Sequence, residues 1–237
     1  MKAKANLTAP MLISIVIPTF NEASSIKATL QPLQSLREQG RVEVILSDGG
    51  STDATFDQAQ FLVDEVVCEV KGRAAQMNAG ADRAKGECLL FLHADTQLPD
   101  NFVDLIAEAM PFPSESDCWG FFPVRLSGQL WSLRIVERFM NLRSRLSAIA
   151  TGDQALFVSR ALWQKLCGFA DIPLMEDVEF SSRARKVSRP RVMRGKLVTS
   201  SRRWEQRGVV PTVLLMWKLR WLYFRGVNPQ ALSEMYR

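Results

Sequence analysis

Apolar runs alternate with helical segments over residues 12–110, and this alternation restricts the fold more than any other feature. Residues 12–17 form a continuous, largely β-branched run that Pro18 closes, which is typical of a strand buried on both faces. Residues 24–36 then predict a helix with a kink at Pro32. The same patterns predict further strands at 42–48, 64–70 and 87–95, and further helices at 51–63, 72–86 and 99–110. Such an order predicts an α/β fold with a mostly parallel central sheet flanked by helices.

After residue 110 the alternation is looser. A strand is predicted at 118–126, a long helix at 129–148, a strand at 154–159 and helices at 160–169 and from residue 175. No internal repeat or low-complexity linker separates these segments from the first half. We therefore expect one domain over residues 1–237, with about 10–110 and about 111–205 as its two halves and about 206–237 as a basic, apolar, helical C-terminal segment.

Carboxylates follow three of the predicted strands. Ligands of open α/β sheets bind at the carboxyl ends of strands, and Glu22, Asp48 and Asp95 lie at such ends. The turn after Asp48 has neither the glycine pattern of a dinucleotide-binding loop nor a Walker lysine. A phosphate-handling site without either loop relies on a divalent cation, for which Asp95 is the natural oxygen ligand. His93, the sole histidine, shares a strand face with Asp95 in this interpretation, as a second ligand or as a packed side chain.

Positive charge is concentrated at the C-terminus. Residues 181–237 contain fourteen Lys and Arg against two Asp and Glu. This segment faces something anionic: a substrate phosphate, an acidic membrane surface, nucleic acid or the acidic body of its own fold. We expect no nucleic-acid partner, because the arginines are mixed with apolar residues and form no recognisable binding module.

Four motifs, taken in order and at their separations, resemble those of a family 2 glycosyltransferase of the GT-A fold. They are IPTFNEASSI, SDGGSTDAT, GRAAQMNAGADRAKGECLLFLHADT and MEDVEF, and the resemblance covers about residues 12–205. It implies a short bacterial-type enzyme whose first half binds a nucleoside-diphosphate sugar, with a UDP-sugar as the expected donor, and whose second half binds the acceptor. It also implies a Mn²⁺ or Mg²⁺ cofactor.

The resemblance assigns roles to individual residues in the donor half. The nucleoside pocket would be lined by residues of the first two strand ends: Pro18, Thr19, Asn21, Glu22, Asp48 and Gly49. Arg73 and Asn78 would face the diphosphate or the donor sugar. In the HAD segment, His93 replaces the first acid of the family's D-x-D motif, so that His93 and Ala94 would lie in the donor pocket and Asp95 on the metal.

In the acceptor half, the resemblance implies that Asp177 is the base that deprotonates the acceptor hydroxyl, with Glu176 as its neighbour. The acceptor loop would comprise Gly152, Asp153 and Gln154. Arg203 and Trp204 partly match a Q-x-x-R-W motif of processive members, but Ser200 stands where that motif has glutamine. The resemblance implies transfer with inversion, and the missing glutamine together with the lack of a transmembrane channel favours a single, non-processive transfer to an acceptor that the sequence does not identify.

Two other classes of function stay open at this point. A nucleotidyltransferase of related fold would carry a glycine-rich loop after the first strand, and PTFNEASS has no glycine. A catalytically silent nucleotide-sugar-binding protein or membrane adaptor would not need the Glu176–Asp177 pair.

Residues 209–224 are the most hydrophobic stretch, and Pro211, Lys218 and Arg220 interrupt it. It is shorter than the ~20 apolar residues of a membrane span. Three interpretations compete: a helix buried in the fold or in a homodimer, an interfacial anchor, and a true span. The four cysteines form no C-x-x-C pair and indicate free thiols in a reducing compartment, so we expect a cytoplasmic protein. The basic charge favours an anionic membrane surface or a lipid-phosphate acceptor, with the inner face of the membrane as a peripheral location.

Overall fold

A computed structural model describes residues 11–68, 70–110 and 116–236. The strands in these residues are β1 Ile13–Thr19, β2 Val42–Asp48, β3 Glu65–Val67, β4 Cys88–Phe91, β5 Thr96–Gln97, β6 Trp119–Phe121, β7 Val124–Leu126, β8 Phe157–Ser159, β9 Arg191–Val192 and β10 Leu197–Thr199. The α-helices are α1 Ile26–Leu30, α2 Gln34–Glu38, α3 Thr55–Ala59, α4 Arg73–Arg83, α5 Phe102–Ala109, α6 Trp131–Ser147, α7 Arg160–Lys165, α8 Glu176–Val187, α9 Arg202–Arg207, α10 Val209–Phe224 and α11 Pro229–Tyr236.

The central sheet has seven strands in the order β3-β2-β1-β4-β8-β6-β9. Strands β3, β2, β1 and β4 are parallel, β8 is antiparallel to both of its neighbours, and β9 is parallel to β6. A smaller sheet joins β5, β10 and β7. The prediction of an α/β fold with a mostly parallel central sheet is therefore confirmed.

Helices cover both faces of the central sheet, and β1 shows how the sequence specifies this. Ile13, Ile15 and Ile17 point into a core on the side of α1 and α5, whereas Val16 points into a second core on the side of α4, α7 and α8. Successive side chains of a strand alternate between faces, so a strand buried on both faces must be apolar throughout. The continuous run in the sequence reflects this double burial.

Two features of the structure, one in each half of the chain, refine the predicted helices and strands. The kink predicted at Pro32 is confirmed, because a 3₁₀ turn over Gln31–Leu33 separates α1 from α2. The strand predicted at 118–126 is instead two strands, β6 and β7, which belong to different sheets. Between them the N–H of Phe122 donates to the Gln154 carbonyl, and Pro123 has no N–H with which to continue a ladder.

The strand predicted at 87–95 ends earlier, at Phe91, so the prediction that His93 and Asp95 share a strand face is wrong. The antiparallel partner β8 begins only at Phe157, and a single further bond follows on that side, from the Phe91 N–H to the Leu156 carbonyl at 2.9 Å. The chain turns instead, with the N–H of Thr96 donating to the His93 carbonyl at 3.1 Å. Both side chains therefore lie on a loop after the strand.

The C-terminal segment is helical, and α10 covers the stretch that the sequence singled out. The inner face of α10 packs on Ile149, Met175 and Val178 of the main body through Leu219. No helix in the described part of the chain is both long and apolar enough to cross a membrane. The division expected near residue 110 borders residues 111–115, which lie outside the described residues.

Close packing of α4 on β1 gives a first prediction. A Cβ on Gly80 would lie 2.4 Å from Cγ1 of Val16 in a dry core, so we expect Gly80→Ala to lower the free energy of unfolding by about 1–3 kcal/mol. Urea denaturation measures this loss. The Val16→Ala/Gly80→Ala double variant removes the steric conflict. Its free energy of unfolding will therefore fall by less than the sum of the decreases in the two single variants. Additive losses would contradict this packing argument.

Candidate active site

The loops that follow β1 and β2 form one hydrogen-bonded unit. The parallel register places Thr19 opposite Asp48 at the carboxyl ends of the two strands. The Thr19 hydroxyl donates to Asp48 Oδ1 at 2.9 Å, and the N–H groups of Gly50 and Ser51 donate to Oδ2 at 3.0 and 2.7 Å. The buried Asp48 carboxylate thus holds its own loop in shape.

Asn21 joins the two loops. Its side-chain oxygen accepts the N–H of Thr52 at 2.9 Å, and its own N–H donates to the Ser51 hydroxyl at 2.9 Å. Asn21 has a φ of 55°, in the left-handed region that asparagine tolerates better than most residues. An asparagine at this position therefore meets both the backbone and the hydrogen-bonding requirement.

The side chain of Gln76 on α4 bridges the ends of β1 and β2, and this bridge is called the Gln76 clasp. Sequence analysis gave this residue no role. Its side-chain amide donates to the carbonyls of Thr19 and Ser47, each at 2.7 Å. A Cβ on Gly49 would lie 3.2 Å from the same amide nitrogen, so glycine at 49 leaves room for the clasp. Gln76 belongs to the GRAAQMNAG motif, which sequence analysis did single out. The motif alone does not show which strands the glutamine reaches.

A polar cavity of about 360 Å³ opens beside these loops. Nine of the predicted site residues line it: Pro18, Glu22, Arg73, His93, Ala94, Asp95, Asp153, Arg203 and Trp204. Its opposite wall comes from the C-terminal segment, including Arg202, Arg207, Thr212, Met216 and Tyr236. Sequence analysis did not assign these last residues to the site, because no motif marks how α9, α10 and α11 fold back over it.

Arginines dominate the electrostatics of this wall. Burial, and then the neighbouring charges of Arg207 and Arg73, lower the pKa of Arg203. The Arg203 guanidinium lies over the Tyr236 ring, 4.2 Å from its centroid, and Arg202 approaches the Glu22 carboxylate at 3.7 Å. The result is a cavity with a positive side, which attracts an anion.

His93 is held on the other side of the cavity, between Asp153 and Gly152. Its Nδ1 lies 3.4 Å from Asp153 Oδ1, and its Nε2 is buried without a hydrogen-bond partner in the described residues. A Cβ on Gly152 would lie 2.4 Å from that Nε2, so only glycine lets the ring pack here. Burial alone would raise the pKa of Asp153, but the contact with His93 and the charge of Arg73 outweigh it and lower this pKa.

Glu176 and Asp177 begin α8, where the helix dipole favours acids. The Asp177 carboxylate accepts the N–H groups of Gly152 and Val178, each at 2.7 Å. Glu176 is buried, and its Oε1 lies 4.0 Å from Nε of Arg73, which lines the cavity. Burial raises the pKa of both carboxyls, and the Asp177 charge raises that of Glu176 further.

The other nine predicted site residues are not among those that line the cavity: Thr19, Asn21, Asp48, Gly49, Asn78, Gly152, Gln154, Glu176 and Asp177. Two of them, Asn78 and Gln154, hold other parts of the chain in place. The Asn78 amide bonds both backbone groups of Phe169, at 2.9 and 3.0 Å. Gln154 is fully buried and accepts the Ser144 hydroxyl at 2.7 Å and the Thr151 N–H at 3.0 Å. Both side chains hold loops of the second half of the chain in place.

A preformed metal cage is absent from the part of the chain that the structure describes: no group of three or more His, Cys, Asp and Glu side chains there could hold an ion. Asp95 is half-buried at the cavity, and its only hydrogen bond in that part of the chain is a 3.5 Å contact from the Thr96 hydroxyl. Its carboxylate oxygens are therefore available to a ligand.

Comparison with known proteins decides the family. The model of glycosyl transferase family 2 matches residues 14–162, which is more than half of the chain. The chain belongs to glycosyltransferase family 2. A curated relative of this transferase is the uncharacterized glycosyltransferase Rv1514c of Mycobacterium tuberculosis, which is 29% identical over 203 residues, or 79% of this chain and 74% of the relative. The PGL/p-HBAD biosynthesis glycosyltransferase Rv2957 of the same species is 36% identical over 118 residues, or 47% of this chain and 44% of the relative.

Solved GT-A glycosyltransferases share the fold of this transferase. Staphylococcus aureus TarS 1–349 in complex with UDP-GlcNAc has a TM-score of 0.59 at 19% identity, covering 80% of this chain and 58% of that one. The glucosyl-3-phosphoglycerate synthase of M. tuberculosis, in complex with Mn²⁺, UDP and glucosyl-3-phosphoglycerate, has a TM-score of 0.54 at 19% identity, covering 80% and 70%. The transferase thus spans somewhat less than two thirds of the TarS chain.

The Gln76 clasp gives a second prediction. Methionine at 76 would fill the space but remove a donor from two buried carbonyls, of which that of Thr19 keeps the Gly49 N–H, so we expect Gln76→Met to lower the free energy of unfolding by about 1–3 kcal/mol. Nucleotide affinity will fall with it, because the loops lose their support. Urea denaturation and nucleotide titration measure the two effects. The exposed Gln31 provides the control: Gln31→Met will change neither, and equal effects of both variants would refute the clasp.

Proposed function

We propose that this enzyme transfers one sugar, with inversion, from a nucleoside-diphosphate sugar to an acceptor hydroxyl, with the help of a divalent cation. The observation that carries the proposal is the cavity, in which Asp95 and Arg73 lie within the same enclosure as Arg202 and Arg203. A diphosphate needs both kinds of partner, a cation held by a carboxylate and guanidinium groups that bind its oxygens directly.

Metal binding in this proposal depends on the donor. Mg²⁺ and similar ions at phosphate-transfer sites are held by one or two carboxylates together with substrate phosphates, so a single available carboxylate such as Asp95 fits that chemistry. When bound, the cation would stabilise the negative charge of the departing diphosphate. His93 retains the predicted role of a donor-pocket residue or second ligand, although its contacts in the structure are with Asp153 and Gly152.

Asp177 is the proposed base. Its two backbone hydrogen bonds occupy one acceptor position on each oxygen and fix the orientation of the carboxylate, while further lone pairs remain for an acceptor hydroxyl. As the acceptor oxygen bonds to the anomeric carbon, the bond to the diphosphate breaks and the hydroxyl proton passes to Asp177. A pKa raised by burial brings the base closer to neutral pH, where general base catalysis is more efficient.

We base the proposed donor on the nucleotides in structures of the same fold, and the single transfer on one residue of this chain. Solved structures of the same fold differ in their nucleotide. The TarS and synthase complexes hold UDP-GlcNAc or UDP, and a Pyrobaculum calidifontis mannosyltransferase holds GDP-Man with Mn²⁺. UDP-sugar is our proposed donor because the TarS and synthase complexes both contain uridine nucleotides. Ser200, which stands in the sequence where the Q-x-x-R-W motif has glutamine, lines the cavity and supports the proposal of a single transfer.

The role of Asp95 gives a third prediction, measured by thermal denaturation with UDP in the presence of Mn²⁺, Mg²⁺ or chelator. UDP at 100 times its dissociation constant will stabilise the native enzyme by about 2.7 kcal/mol when a metal is present. We expect Asp95→Ala to lose the metal-dependent part, whereas Asp100→Ala, an exposed acid five residues away, will keep it. Unchanged metal-dependent stabilisation in Asp95→Ala would remove Asp95 from the metal.

The role of Asp177 gives a fourth prediction. Asp177→Asn will lower kcat by about 10²–10⁴-fold, because a positioned base contributes that much, while UDP with metal will still stabilise the variant. In the native enzyme kcat will fall as the pH drops through a pKa above the usual carboxyl range. Transfer from a UDP-sugar to each member of an acceptor panel measures both. Asp171→Asn, an exposed acid before α8, is the control, and a fully active Asp177→Asn would refute the assignment.

A further inference from the structure

Two neighbouring helices of the C-terminal half carry an apolar stripe on the face that points away from the protein. On α6 the stripe consists of Trp131, Ile135, Phe139, Leu142 and Leu146, with exposures of 76, 43, 63, 53 and 79%. On α10 it consists of Val210, Leu214, Trp217, Trp221 and Phe224, with exposures of 67, 59, 65, 58 and 62%. Both sets recur at intervals of three and four residues, which places each set on one helical face.

These stripes are additional to the faces that pack into the core. Leu133 and Val136 form the buried face of α6, and they pack with Val213 of α10 in a small cluster that joins the two helices. Leu219 is buried on the inner side of α10. A helix at the surface of a water-soluble domain normally shows polar residues opposite its buried face. Here both helices are apolar on two opposite sides, and large exposed apolar surfaces mark interaction sites.

Basic residues flank the stripes without acidic ones. Arg138 and Arg145 are exposed on α6, Lys218 is exposed on α10, and Arg225 at its end lies 5.1 Å from the centroid of the Trp221 ring. Glu137, the sole acid of α6, is buried and paired with Arg134 at 2.9 Å. Residues 208–227 contain no Asp or Glu at all. The exposed charges on the two helices themselves are therefore of one sign.

We propose that the exposed faces of α6 and α10 form a docking surface for an anionic phospholipid bilayer. Tryptophan, phenylalanine and leucine enter the headgroup region, and the adjacent arginines and lysine bind lipid phosphates. The single sign of the charges favours this occupant over a second copy of the chain. A two-fold interface brings the same patch against itself, so these cations would face one another. An anionic bilayer instead complements them.

Vesicle co-sedimentation of the full chain tests the docking surface without any transfer assay. We expect binding to vesicles of phosphatidylcholine mixed with phosphatidylglycerol, little binding to phosphatidylcholine alone, and weaker binding as salt is raised. Phe139→Ser/Leu146→Ser on α6 and Trp217→Ser/Trp221→Ser on α10 will each lower the partition coefficient at least tenfold. Arg138→Gln/Lys218→Gln will lower it on anionic vesicles alone, by about fivefold for each charge removed.

Phe61 supplies the matched control. Its side chain is 84% exposed and lies just before the edge strand β3, at the other end of the central sheet from β6. Phe61→Ser will bind anionic vesicles like the native chain. All substituted positions are exposed, so thermal denaturation should give native-like stability for each variant.

Three results would overturn the proposal. One is no sedimentation with anionic vesicles, and another is binding that the α6 and α10 variants retain. The third is a native dimer, seen by light scattering, that the same variants dissociate, because this would identify a second copy as the occupant. Nucleotide stabilisation and sugar transfer are measured separately, so failure of the docking surface leaves the proposed reaction to its own tests.

Discussion

The parallel pairing of β1 with β2 is the constraint on which the site depends. It sets Thr19 beside Asp48, and from that contact the two loops acquire their shared hydrogen bonds. A shift of one residue in this register would turn Asp48 to the opposite face of the sheet. The clasp from Gln76 holds the two strand ends together where the ladder stops. Loops fixed in this way are already shaped before a ligand arrives, which reduces the ordering cost of binding.

The sequence predicted the long elements well, for a physical reason. A strand buried on both faces, such as β1, must be continuously apolar, so the pattern is visible without knowledge of the partner strands. Short elements lack this signal. The end of β4 is decided by where β8 begins, and the break between β6 and β7 by a hydrogen bond to Gln154, and both are tertiary contacts far away in sequence.

The site likewise combines features that the local sequence predicts with features that depend on tertiary contacts. Residues at strand ends, such as Glu22 and Asp95, were predicted at a common edge and do line one cavity. Asp48 and Asn21 also lie at this edge, but their polar atoms are engaged in holding the loops. The wall built by α9 to α11 could not be predicted, because it depends on how α10 packs against Met175 and Val178. Nothing in the local sequence of α10 indicates that partner.

The two faces of α10 reconcile the competing interpretations of its sequence. A helix that is hydrophobic all round is expected to be buried, yet α10 is buried on one side only, through Leu219, and exposes Trp217 and Trp221 on the other. The same helix contributes Thr212 and Met216 to the cavity wall. If the outer face rests on an anionic bilayer, the cavity wall on the inner face lies about one helix diameter, ~10 Å, from the lipid. Docking through this face therefore favours an acceptor with a lipid anchor and a polar head long enough to cross that distance to the arginines of the wall, whereas an acceptor in solution would not need the exposed stripe.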